Sequence, residues 1–130
     1  MRALRVLVLA STLGLTIACG GSSSTAPSPS PAMTTITLSA TGVTPAQVTV
    51  APGDRVLFVN TDSRSHDMEW DPHPDHQGPC GLAGVNPPGF LAPGQRRETG
   101  NLVNVQSCGF HDHNDPPPGG SRWTGTILIR

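Results

Sequence analysis

Five histidines and three cysteines carry most of the chemistry open to this chain of 130 residues. His66 follows a short apolar run, Arg55-Val-Leu-Phe-Val-Asn60, while Cys108 and His111 lie far downstream with only Gly109 and Phe110 between them. A thiolate and an imidazole from one turn, joined by an imidazole from a distant segment, form a trigonal donor set that suits copper in one-electron transfer. A bound ion would deprotonate the thiol, and imidazole is a borderline donor that accepts both copper oxidation states. His113, two residues beyond His111, is the leading candidate for a fourth bond, with Asp112, Met68, a backbone carbonyl or no fourth ligand at all as alternatives.

The start of the chain bears on the cysteines. Arg2 and Arg5 precede an apolar run from Val6 to Ile17, and Ala18-Cys19 closes it. This pattern predicts an export signal over residues 1–18. The run is too short to cross a hydrocarbon core, which needs about 20 apolar residues. Ala18-Cys19 resembles the bacterial lipoprotein signal, which implies acylation of Cys19, a lipid anchor in a membrane, and a cell-envelope location facing the periplasm or the exterior. Residues 19–33 then comprise the lipidated cysteine and a Gly/Ser/Pro-rich linker that cannot bury enough area to order itself. Residues 34–130 form one domain with a single modest core.

With Cys19 lipidated, Cys80 and Cys108 remain as an even pair in an oxidising compartment, where two such cysteines commonly form a disulfide. Two readings therefore compete. In one, Cys108 binds copper with His66 and His111. In the other, Cys80 and Cys108 are bonded, and His66, His111 and His113 hold Cu(II) or Zn(II) without sulfur, closer to a storage or delivery site. A metal-free adhesion or binding module is the third. The run Asp71-Pro-His73-Pro-Asp75-His76 reads either as a subsidiary metal site or as a solvated polar loop stiffened by its prolines, the loop being the preferred reading.

Short alternating runs rich in Val, Ile and Thr must position these residues: Thr35–Ser39, Gln47–Val50, Arg55–Val59, Asn101–Gln106 and Gly125–Arg130. Fourteen prolines and fifteen glycines punctuate the rest, so helices of consequence are not expected. The stretch from Thr61 to Gly100 reads as a long polar loop. Short strands separated by turns predict an all-β sandwich or barrel with long loops at one end. Setting aside Arg2 and Arg5 of the leader, six arginines face nine acidic residues, a net charge of −3, and lysine is absent. That balance argues against nucleic-acid binding.

Four features in order resemble the cupredoxin family of plastocyanin-like blue copper proteins. Ala51-Pro-Gly-Asp54 leads into Val56, Phe58 and Asn60 with His66 beyond; Ala92-Pro-Gly-Gln95 matches a family turn; Cys108-x-x-His111 matches the ligand loop; and Gly125-Thr-Ile127 matches the closing strand. The resemblance spans Thr34 to Arg130 and implies a Greek-key sandwich, a copper cofactor held by His66, Cys108 and His111, and a redox or copper-delivery protein as partner. It places Trp123 where the family carries an axial methionine. An indole N–H donates but does not coordinate, so Trp123 is expected to shield the metal, leaving His113 for the fourth bond. Oxidase chemistry in this superfamily needs several domains, and no third group orients a Cys–His pair for thiol catalysis, so an enzyme is not expected.

Overall fold

The computed structural model describes residues 33–103, 107–118 and 121–130. The expected leader, Cys19 and all but the last residue of the linker lie outside the described residues. Within them the chain forms two facing mixed sheets with one four-residue α-helix and one turn of 3-10 helix at Ser121–Trp123. The strands are β1 (Thr34–Ser39), β2 (Gly42–Thr44), β3 (Gln47–Val50), β4 (Val56–Asn60), β5 (His66–Trp70), β6 (Gly89–Leu91), β7 (Arg96–Glu98), β8 (Ser107–Asp112) and β9 (Thr124–Ile129), with α1 at Pro79–Leu82. One sheet runs β2-β1-β4-β7 and the other β3-β9-β8-β5-β6. The pairs β1–β4 and β3–β9 are parallel and the rest antiparallel. No helix among the described residues is long and apolar enough to cross a membrane.

Side-chain alternation explains the layers. Ile36 and Leu38 of β1, Val56 and Phe58 of β4, Met68 and Trp70 of β5, Phe110 of β8 and Ile127 of β9 are buried, while their sequence neighbours point the other way. Each large apolar side chain so buried contributes roughly 1.5–3 kcal/mol. Phe58 and Phe110 meet edge to face across the layers, with centroids 5.1 Å apart. The Pro52-Gly53 turn ahead of β4 needs a positive φ, 95° at Gly53, which only glycine adopts without strain. The Asp54 carboxylate closes that turn by accepting from the Ala51 N–H.

Two expectations need correction. Asn101–Val103, expected as the start of a strand, is irregular, residues 104–106 lie outside the described residues, and the strand begins at Ser107. Cys108-x-x-His111 therefore sits inside β8 rather than in a loop. Thr61–Gly100 contains three strands and α1. β5 was hidden because its alternation sets His66, a polar residue, on the buried side beside Met68 and Trp70.

Candidate metal centre

β8 decides which residues meet. Its register against β5 pairs Met68 with Asp112, Glu69 with His111 and Trp70 with Phe110. Cys108, Phe110 and Asp112 thus share the inward face with His66, Met68 and Trp70, whereas Gly109 and His111 face the opposite way. Residues three apart in a strand cannot direct donors at one ion. The fold accordingly does not bring His66, Cys108 and His111 together. Cys108 is instead joined to Cys80 of α1 in a disulfide with Cα atoms 5.4 Å apart, within the usual range. Of the two readings of Cys108, the bonded pair is the one the structure adopts.

On the outer face four histidines converge. One ring nitrogen from each of His73, His76, His111 and His113 lies within 4.8 Å of every other. His111 and His113 come from β8 and the turn after it; His73 and His76 come from the strap that follows β5. The strap can lie close because Gly109 has no side chain: a Cβ there would strike the Asp71 carboxylate. That carboxylate is 2.7 Å from His111 Nδ1. His76 Nδ1 donates to the Trp70 carbonyl oxygen at 2.6 Å, and its Nε2 lies 3.1 Å from His113 Nδ1.

These partners fix the tautomers. A ring that donates through Nδ1 keeps its lone pair on Nε2. His111 is fully buried, and its Nε2 has no hydrogen-bond partner. A buried polar nitrogen left unsatisfied costs roughly 1–3 kcal/mol, and a ligand satisfies it. With its lone pair on Nε2, His76 accepts from His113 Nδ1–H at 3.1 Å; an ion taking the place of that proton would need the two nitrogens about 3.3 Å apart, the spacing of tetrahedral bonds of about 2.0–2.1 Å. Carboxylate–imidazole–metal is the arrangement in which a second layer orients a ligand and raises its basicity, and Asp71–His111 reproduces it.

Electrostatics point the same way. His73 is held below the ordinary imidazole range, first by loss of water and then by His113, His111 and His76. It therefore favours the neutral form that ligates. The Glu69 carboxyl, directly opposite His111 in the sheet, is raised by burial and by Asp67, with His76, His113 and His111 offsetting part of the rise. A cleft of about 400 Å³ lined by Asp71, Pro72, His73 and Pro117 opens beside the cluster.

His66 belongs to a separate arrangement on the inner side. Its Nδ1 lies 2.7 Å from Asp112 Oδ2 and its Nε2 3.3 Å from Asp62 Oδ2, so neither ring nitrogen is left for an ion. Asp112 Oδ1 also accepts from the N–H groups of Asp67 and Asn114. Burial pushes the Asp62 carboxyl up, but the N–H groups of Ser63 and Arg64 together with His66 bring it below its ordinary value. Trp123 packs on His66 at 5.3 Å, under the Arg64 guanidinium, and donates to the Ser39 carbonyl oxygen. It covers this inner group and not the four-histidine cluster. Met68 is fully buried in the core.

Of the four residues expected to hold metal, the structure gathers His111 and His113 and leaves out His66 and Cys108. His73 and His76, read in the sequence chiefly as a solvated loop, complete the group. The signal for them was His-Pro-Asp-His spacing in a proline-stiffened run.

No protein-family model and no curated protein sequence matches the chain. Among solved structures it is similar to a purple cupredoxin from Nitrosopumilus maritimus, at 15% identity and a TM-score of 0.55, over 75% of this chain and 99% of that one. It is also similar to an oxidised mutant of amicyanin, at 13% identity and TM-score 0.59 over 75% and 82% of the two chains. A reduced Cu(I) form of another amicyanin mutant matches at 13% and 0.58 over 78% and 85%. The fold is the cupredoxin-like sandwich.

Proposed function

We propose that this chain is a copper-binding module of the cell envelope that uses the cupredoxin scaffold with an all-histidine site, built from His73, His76, His111 and His113. The observation that carries the reading is the buried, unpartnered Nε2 of His111, aimed among three other imidazoles and oriented from behind by Asp71. Copper is the ion of choice because imidazole donors suit Cu(II) and divalent affinity peaks at copper in the first-row series; Zn(II) is the nearest competitor. The similarity to copper-carrying cupredoxins supports the same ion.

The site favours holding and handing over an ion above one-electron carriage. A nitrogen-only donor set lacks the thiolate of blue copper, and His73, on the exposed strap, can leave an ion without disturbing the sandwich. His111 fixes the buried bond, Asp71 orients it, and His73, His76 and His113 close round the exposed side. Export through residues 1–18, acylation of Cys19 and a tether up to residue 33 would hold the domain at a membrane facing the periplasm or exterior, within reach of a copper-delivery protein. The reading is of a binder and not of an enzyme.

Titrating the full chain with Cu(II) under paramagnetic resonance tests this. The expected result is one equivalent bound, nitrogen couplings, weak visible absorption and no intense thiolate band. An intense sulfur-to-copper band, or no stoichiometric binding, would overturn it.

A further inference from the structure

The four donors come from two pieces of chain, and one covalent bond joins those pieces. His111 lies three residues past Cys108 in β8, and His76 lies four residues before Cys80. Residues 72–75 of the strap are exposed, so packing does little to fix His73. The strap is held at its near end by the Asp71 N–H on the Gly109 carbonyl and by His76 Nδ1 on the Trp70 carbonyl, and at its far end by two close backbone approaches. Gly81, next to Cys80, lies so close beneath the His76 carbonyl that a Cβ would collide with it, and Gly78 lies equally close to the Asp71 carbonyl. Asp71 in turn holds His111. Cys80 and Cys108 are both buried.

Resting on the all-histidine reading, we infer that the Cys80–Cys108 disulfide is a positioning element of the metal site, so that high-affinity binding exists only in the oxidised protein. Its formation moves two electrons and two protons from the Cys80 and Cys108 thiols to an incoming disulfide donor, which leaves as a dithiol. Before that exchange, the strap is held against β8 only from its Asp71 end, and His73 and His76 are loosely placed over His111 and His113. After it, α1 is drawn against β8, and the Gly81–His76 contact sets the strap histidines over them. Metal loading thereby follows oxidative folding, and the unoxidised chain takes up no ion tightly.

The test uses the full chain and Cu(II), with affinity and paramagnetic resonance as readouts. Cys80→Ala/Cys108→Ala should keep its strand-type circular dichroism, lose about 10- to 100-fold in affinity, as when a ligand loses its orienting partner, and show fewer coupled nitrogens. A disulfide that merely stabilised the fold would lower the melting temperature and leave the spectrum of the folded protein unchanged, which would overturn the inference. Gly81→Ala keeps the disulfide but displaces the strap, and serves if the alanine pair does not fold; unchanged affinity and spectrum there would also overturn it. In a His73→Ala/His76→Ala background, removing the disulfide should have no further effect on binding. If His73→Ala/His76→Ala alone leaves binding intact, the four-histidine reading fails; if it weakens binding while the cysteine variant does not, only the positioning role fails.

Discussion

Two histidine groups lie back to back on β5 and β8, and they use the same ring in opposite ways. On the inner face both nitrogens of His66 are spent on carboxylates, Asp112 at 2.7 Å and Asp62 at 3.3 Å. On the outer face His111 gives one nitrogen to Asp71, and its other nitrogen has no protein group to bond. The first arrangement is closed and structural. The second leaves a donor nitrogen open. Histidine content alone does not separate the two; the count of nitrogens left over does.

The comparison breaks most sharply at His111. Replacing it with Ala should abolish stoichiometric Cu(II) binding while leaving the melting temperature of the metal-free domain little changed or raised, since an unsatisfied nitrogen is removed along with some packing. Retained tight binding would show that the open nitrogen is not the anchor. His66→Ala should do the reverse. It strands two buried carboxylates, and breaking a buried pair costs about 3–5 kcal/mol; denaturant unfolding measures this, and Cu(II) affinity of the folded fraction should hold within a few-fold. Asp71→Asn keeps the shape but weakens the acceptor behind His111, and about a tenfold loss of affinity is expected; an unchanged isotherm would mean that Asp71 does not orient the ligand.

Two finer effects sharpen the contrast. Trp123→Phe removes the indole N–H donated to the Ser39 carbonyl, so unfolding should become easier by about 1 kcal/mol with the Cu(II) spectrum unaltered. A changed spectrum would place Trp123 at the metal after all. The last concerns acid. His73 has a lower pKa folded than unfolded, so the unfolded chain takes up this proton first as pH falls. The metal-free domain should therefore lose stability from about pH 6.5 downward, and His73→Ala should flatten that slope. Identical slopes in thermal melts between pH 7 and 5 would refute it.

Much of the scaffold was legible because turn chemistry and period-two alternation are local. Ala51-Pro-Gly-Asp54, the Val56–Phe58 alternation and Gly125–Ile129 each announce their element. The site was legible in part. His111 and His113 stood out by spacing, but Cys108 and His111 were assigned to a loop, where two intervening residues let both reach one ion. In a strand the same spacing separates them by the thickness of the sheet. Whether the segment was strand or loop depended on pairing with β5 and β9, which is long-range. His73 and His76 had no local partner in sequence; only the strap's return over Gly109 brings them to His111.

That return depends on β8, which carries two interleaved scripts. Cys108, Phe110 and Asp112 spell the interior, and Gly109 and His111 spell the exterior. The outer letters can be edited without misspelling the inner ones, so they are free to drift among metals, or to lose metal altogether, while the sandwich persists; of the inner letters only Cys108 is tied to the outer script, through its bond to Cys80. Inserting or deleting one residue in β8 has the contrary result. It exchanges the scripts, sending imidazole inward and the phenyl ring out, and loses fold and site in a single step.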